Sequence, residues 1–212
     1  DPKDAKDFDD ALFGHAFYTI RHGFRALWNG LTGSHFVFVP DNVAPETRRY
    51  YQQLTRFSAA FALSADVAML VLGGELKRRE KLSARLGDIL SMMFLCSATL
   101  KRYESEGRQQ DDAPLMHWAI WDTMYKAQTA FDGFLANFPN RFVGNMLRRI
   151  IFPLGHPYDV PSDRIGHQVA RLMISPTVAR NRLTAECYLP MHEHEPVGAI
   201  ELALQATINA EP

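Results

Sequence analysis

The sequence is poor in the residues that usually mark a self-contained catalytic or metal site. Its 212 residues include only two cysteines, Cys96 and Cys187, which form neither a metal-binding pair nor a disulfide framework. This usage fits a reducing compartment. Phosphate-binding GxxxxGK[ST], dinucleotide-binding GxGxxG and nucleophile GxSxG motifs are also missing. The sequence therefore disfavours an independent enzyme of a common class.

No charge of one sign is in excess, because 23 basic residues meet 24 acidic ones. Phosphate-driven binding normally needs a clustered basic surface, so we expect no nucleic-acid partner. No uninterrupted apolar run approaches the roughly 20 residues that span a bilayer, and the first ten residues are polar and acidic, unlike a secretory signal. We expect this segment neither to cross a membrane nor to direct export. With 47% apolar residues, it has enough material for a core.

What the chain does have is apolar residues at helical spacing. Between Gly73 and Gly107 the apolar positions recur every three or four residues, which predicts one buried side of a helix that ends near Gly107. These positions are Leu86, Ile89, Met93, Cys96, Leu100 and Tyr103. The double glycine at 73–74 is expected to break or bend the chain before this helix.

Three further helices are predicted around it. The first runs from Asp7 to Leu31 with core contacts from Phe8, Leu12, Phe17, Ile20, Phe24 and Leu27. The second starts near Pro45, and its apolar positions are Tyr51, Leu54, Ser58, Phe61, Ala65, Ala68 and Leu72. Another starts at Pro114, with His117, Trp121, Met124, Gln128, Phe131, Leu135 and Phe138 on its buried side.

Long amphipathic helices with short connections predict an all-α fold, an antiparallel helical bundle with an irregular, proline-punctuated C-terminal segment. We divide it into an N-terminal helix and connector (1–43), a central helical bundle (44–152), and an irregular helical segment packed on the bundle (153–212). Helical pieces are expected there at 162–174 and 197–208.

Three places carry side chains capable of chemistry. The exposed string His192 to Glu195 offers imidazoles and carboxylates to a metal, but lacks the spacing of a helical zinc motif, so a polar loop is the favoured interpretation. Asp66 lies in an apolar run and is expected to pair with a basic neighbour or reach solvent rather than act as an acid or base. His117, beside two tryptophans, is interpreted as a packing residue. We assign no catalytic, cofactor-binding or metal-binding residue.

The segment Arg141 to Phe152 combines basic and bulky apolar residues, which suits an interface. The alternatives are an anionic membrane, a partner groove, or a core helix whose arginines reach the rim. The interface residues on the first two interpretations are Phe142, Met146, Leu147, Arg148, Arg149 and Ile151.

Long strings of the chain resemble the C-terminal region of the large FadE-type bacterial acyl-coenzyme A dehydrogenases. They cover Arg49 to Leu90 (RYYQQLTRFSAAFALSADVAMLVLGGELKRREKLSARLGDIL), Leu100 to Arg141, and Ile150 to Asp163 (IIFPLGHPYDVPSD). FGH at 13–15 and EHEPVGAIELAL at 193–204 extend the resemblance to nearly the whole chain.

That resemblance implies a parent enzyme that uses FAD to convert a fatty acyl-CoA to a trans-2-enoyl-CoA in fatty acid β-oxidation, with an electron-transferring flavoprotein as acceptor. It places the catalytic glutamate and the flavin in an upstream dehydrogenase core. The resemblance leaves this chain a noncatalytic role in core packing, homo-oligomer formation or peripheral membrane contact, in the bacterial cytoplasm or at its inner membrane. The alternatives are a contribution to the acyl-CoA pocket and a lipid- or protein-binding helical module.

Overall fold

The computed structural model describes residues 2–188, 190 and 192–210, with the side chains of residues 2–12, 15 and 16 outside the description. The described residues form eight α-helices and no strand, so the all-α class is confirmed. The helices are α1 (Pro2–Leu31), α2 (Pro45–Leu72), α3 (Glu80–Ser105), α4 (Ala113–Ala136), α5 (Arg141–Ile151), α6 (Asp163–Ile174), α7 (Val178–Thr184) and α8 (Pro196–Ala210). Short 3-10 turns occupy Gly73–Arg78 and Gln110–Asp112.

Neighbouring helices of the central region run in opposite directions. The hydroxyl of Tyr103, near the end of α3, donates to Glu46 at the start of α2 over 2.9 Å. At the other end of α3, Arg85 lies against Gly133, which is near the end of α4. Short connections enforce this arrangement, as the sequence predicts.

The apolar side of α3 lies in the centre of the core. Ile89, Cys96 and Leu100 are fully buried, and Met93 and Tyr103 nearly so. Burying an aliphatic side chain of this size stabilises the fold by about 1.5–3 kcal/mol. Burial also raises the pKa of the Cys96 thiol to about 12, so this cysteine behaves as a packing residue rather than a nucleophile.

Helix α2 is buried on more than one side, so the predicted stripe describes only part of its contacts. Ala68 lies in the core and Tyr51, Leu54, Phe61 and Leu72 pack against it, but one predicted position is wrong. Ser58, assigned to the core, is exposed, whereas Phe57 and Leu63 are buried. The reason is that α2 packs against both α1 and α3, and also contacts α5, where Arg56 donates to the carbonyl of Ile151 over 3.2 Å. A single stripe cannot describe a helix with several neighbours.

The same composition makes α2 a membrane-span candidate by length and hydropathy alone. Residues Pro45–Arg78 contain an 18-residue window of mean hydropathy 1.7, so the expectation that no segment reaches that length is wrong in terms of composition. Within the fold, the apolar side chains Phe57, Leu63 and Val67 belong to the core shared with α3 and α4. Packing inside the bundle accounts for part of the apolar character of this helix, whereas Met69, Leu70 and Val71 near its end are exposed.

Two short helices and their ion pairs attach the C-terminal segment. Helix α6 contacts α4, and α7 contacts the 3-10 turn before α4. Arg182 of α7 binds Asp112 through two hydrogen bonds of 2.8 and 3.0 Å, and Arg180 binds Glu201 of α8 in the same bidentate way. Helices α6 and α8 match the predicted pieces, whereas α7 was not predicted.

Candidate functional site

Most of the bulky apolar side chains described on α1 are exposed on one side of the helix. Six of them recur at helical spacing along one side, and Phe17 and Phe24 are 71% and 72% exposed. We call this side the aromatic face of α1; it comprises Phe13, Phe17, Ile20, Phe24, Trp28 and Leu31. Contiguous exposed apolar surface of this kind marks an interaction site.

The opposite side of α1 consists of small residues that bring the helix close to the bundle. A Cβ atom on Gly30 would lie 2.8 Å from the ring of Pro153, and one on Gly23 would lie 3.8 Å from Leu63. Ala26, between them, is buried. Because the close approach uses small side chains, the bulky ones are left outside.

This geometry overturns the predicted orientation of the first helix. Phe17, Ile20 and Phe24 were expected to supply core contacts, but all three are exposed. Leu27 is half-buried, and the remaining predicted contacts, Phe8 and Leu12, lie outside the described side chains. The apolar periodicity is real, but it belongs to an exposed face whose recorded ring contact is that of Trp28 with Phe36, with ring centres 6.2 Å apart.

A polar pair fixes α1 on α2. Nδ1 of His22 lies 3.1 Å from a carboxylate oxygen of Asp66, and both side chains are largely buried. The ring of Tyr18 lies against the imidazole with ring centres 4.0 Å apart. Asp66 therefore pairs with a basic neighbour, as its position in an apolar run predicts, and the pair sets the rotation of α1 that leaves the aromatic face outside.

Glu104 holds the connector between α1 and α2 in place. Its carboxylate accepts hydrogen bonds from the amide of Ala44 at 2.9 Å, the hydroxyl of Thr47 at 2.6 Å and the guanidinium of Arg108 at 2.7 Å. Burial by itself raises the pKa of this carboxyl, but the three hydrogen bonds outweigh burial and hold the pKa below its usual value. The charged form of Glu104 is thus part of the folded structure.

Helix α5 separates the predicted interface residues into two groups. Phe142 is 78% exposed, and Met146 and Arg149 are exposed on the same side. Leu147 and Ile151 are buried in the core, so the structure removes these two from any interface. Asn140 precedes the helix as its N-cap, and its side chain accepts hydrogen bonds from the amides of Phe142 and Val143. The 11 residues of α5 carry apolar side chains on both the buried and the exposed side.

Arg148, the sixth predicted interface residue, faces the fold rather than an outside partner. Its guanidinium lies 2.9 Å from the Asp132 carboxylate of α4, which also binds His156 at 2.9 Å. Of the six, Phe142, Met146 and Arg149 are exposed, whereas Arg148 is part-exposed and already paired with Asp132.

The histidines singled out by sequence occupy two different settings. Nδ1 of His117 lies 2.8 Å from the hydroxyl of Tyr50, and burial lowers the pKa of the imidazole although Glu46 opposes this effect. His117 is thus a packing residue, as predicted. His192 and His194 are exposed, and no group of three potential metal ligands exists within the described residues.

A cavity of about 380 Å³ lies between α3, α4, α6 and α7. Its walls are apolar, and charged residues occur only as pairs with one another. Sequence reasoning missed it, because its walls come from four helices and one of them, α7, was not predicted. The residues that shape it are Met116, Trp118, Ala119, Val169, Met173 and Leu183.

One family of known proteins matches this chain along its full length. The family is described as acyl-CoA dehydrogenase, C-terminal, bacterial type, and the match covers residues 1–212. No solved structure matches the chain.

Proposed function

The chain belongs to the bacterial-type acyl-CoA dehydrogenase C-terminal family, and on this premise we propose that it is a noncatalytic helical domain whose aromatic face on α1 packs on the dehydrogenase core of the same polypeptide. The observation that carries the proposal is the outward orientation of Phe17, Phe24 and Trp28 on a helix whose small side already contacts the bundle.

Physical chemistry favours a permanent apolar partner for this face. Covering one such side chain contributes about 1.5–3 kcal/mol, so six side chains exceed what a transient contact requires. Arg21 and Arg25 are exposed on the same helix. The complementary surface of the core is therefore expected to be apolar at its centre and to carry acidic groups at its edge.

The reaction of the parent enzyme belongs to that core on this proposal. FAD carries two phosphates and a polar ring system, whereas the arginines beside the cavity of this chain, Arg102 and Arg182, are already paired with Glu106 and Asp112. The cavity residues do not fit the flavin. We accordingly assign the oxidation of acyl-CoA to trans-2-enoyl-CoA, electron transfer to a flavoprotein, and the place in β-oxidation to the enzyme as a whole.

A second role for this domain is supported by the exposed side of α5. Phe142 and Met146 are apolar, and Arg149 and Arg141 are exposed near them. This combination suits peripheral contact with an anionic membrane. It concerns a different surface from α1, so the two roles are compatible and separately testable.

The proposed docking is tested in the intact enzyme with Phe17→Ser plus Phe24→Ser. We expect amide hydrogen exchange along α1 to accelerate and the domain to unfold in a transition of its own, because the contact with the core is lost. The matched control is Leu90→Ser plus Phe94→Ser, which removes two exposed apolar side chains from α3. Equal exchange in wild type and the α1 variant would contradict docking to the core.

Two further measurements separate the alternatives. Light scattering shows whether the α1 variant instead converts a dimer to a monomer, which would assign the face to a second copy of the chain. Flotation of the enzyme with anionic vesicles, with and without Phe142→Ser plus Arg149→Glu, tests the membrane role of α5.

A further inference from the structure

We propose that the cavity between α3, α4 and the α6–α7 segment is a binding site for an unbranched aliphatic chain. The inference rests on residues of this chain alone and is independent of what the aromatic face of α1 contacts. The cavity of about 380 Å³ falls within the size range of small-molecule sites.

The charges near the cavity already pair with one another and so do not favour an ionic ligand. Nε of Arg102 donates to Glu106 at 2.9 Å, while its second terminal nitrogen donates to the carbonyl of Arg182 at 3.2 Å. Arg182 itself is bound to Asp112. A charge on a ligand would therefore have to compete with an ion pair that already exists.

The remaining wall favours a flexible hydrocarbon over a rigid ring. Met116 and Met173 are unbranched and adapt to irregular shapes. Ala119 and Ala179 also line the cavity, and their small side chains leave room beside the longer ones. Two aromatic rings line the cavity: Trp118, which is 36% exposed, and Tyr103, which is buried and whose hydroxyl donates to Glu46.

The larger side chains that α6 and α7 contribute to the cavity wall are only partly buried. Helix α6 has no fully buried side chain, and Leu183 of α7 is 39% exposed although it faces the bundle. Val169 and Met173 are half-buried. An aliphatic chain would complete the burial of these side chains, while the Arg182–Asp112 ion pair holds α7 in position above it.

The test uses the intact enzyme and a readout confined to this site. A photoreactive alkanol that carries a diazirine is bound and irradiated, and the labelled peptides are mapped by mass spectrometry. We expect saturable labelling of α4, α6 and α7 around Trp118, Met173 and Leu183. Unlabelled n-alkanols should compete about fourfold better for each added methylene until the cavity is full.

Variants decide whether the cavity is the labelled site. Ala119→Phe fills it and should reduce labelling at least tenfold, whereas Ala130→Phe, a half-buried alanine on the same helix outside the cavity, should leave it unchanged. If circular dichroism shows that Ala119→Phe lowers the melting temperature, Leu183→Trp is used in its place, because it fills the cavity from α7. Non-saturable labelling, competition that ignores chain length, or full labelling in the filled variant would each overturn the proposal.

Discussion

Gln128 and Tyr158 form a reciprocal pair that fastens the C-terminal segment to α4. Nε2 of Gln128 donates to the carbonyl of Tyr158 at 2.6 Å, and the amide of Tyr158 donates to Oε1 of Gln128 at 3.1 Å. Both residues are buried. The Gln128 side chain thus satisfies both backbone hydrogen-bonding groups of Tyr158, in the segment that follows α5.

Replacement of Gln128 by leucine should therefore be costly. It leaves a buried amide and a buried carbonyl without partners, at about 1–3 kcal/mol each. We expect the free energy of unfolding to fall by about 2–5 kcal/mol in urea denaturation. Gln168→Leu, at an exposed position of α6, is the control and should change stability by less than about 0.5 kcal/mol. Equal stability of the two variants would contradict the importance of the pair.

Alanine substitutions at the adjacent positions 146 and 147 of α5 should differ strongly in their effect on stability. Leu147→Ala removes a fully buried side chain and should cost about 2–5 kcal/mol, whereas Met146→Ala, 41% exposed, should cost well under half as much. Thermal unfolding measures the difference. If the partner contacts α5, Met146→Ala should weaken binding without this loss of stability.

The buried side of a helix was predicted best where the helix has one main neighbouring surface. Helix α3 has one main buried side, and the stripe from Ile89 to Tyr103 was found from spacing alone. Helix α2 packs on several sides, so one stripe placed Ser58 wrongly in the core. For a helix such as α5, with apolar residues on both sides, spacing cannot tell Leu147 from Met146.

The candidate sites were harder to predict than the fold. On α1, periodicity identified Phe17 and Phe24 but cannot say whether the covering partner is the bundle or another body. The sequence does contain one signal for the orientation of α1: the small residues Gly23, Ala26 and Gly30 lie on the side opposite the aromatic face, where they permit a close helix contact. The cavity depends on the distance between helices, which no local pattern encodes.

Two helical glycines should respond oppositely to alanine. A Cβ on Gly144 of α5 would lie 2.8 Å from the carbonyl oxygen of Leu135, so Gly144→Ala forces α4 and α5 apart and should cost about 1–3 kcal/mol. Gly87 of α3 has no atom within 4 Å of that position. Gly87→Ala should stabilise the protein by about 0.4–1 kcal/mol, because alanine restricts the unfolded chain. Differential scanning calorimetry of both variants checks the signs.

Stability should depend on the charge of Glu104 in acid. Its pKa is lowered below 4.5 in the folded state, so the contribution is complete above that pH and is lost as the pH falls through the folded-state value. We expect Glu104→Gln to cost about 1–3 kcal/mol at pH 7. The stability gap from wild type should close as the pH falls below 4.5 and through the lowered folded-state pKa of Glu104. Glu106→Gln, a more exposed partner of Arg102, is the control. A gap that does not change with pH would show that the charge is unimportant.

The two faces of α1 also imply an order of events during synthesis. The small side around Gly30 needs Pro153, which leaves the ribosome only after α2 to α5 have been made. If a dehydrogenase core precedes the chain, as we propose, the aromatic face finds its partner first, since domains fold from the N-terminal side as they emerge. Helix α1 would then dock on the folded dehydrogenase core before α2 to α5 have been synthesised, and these later helices would pack onto an α1 that is already in position.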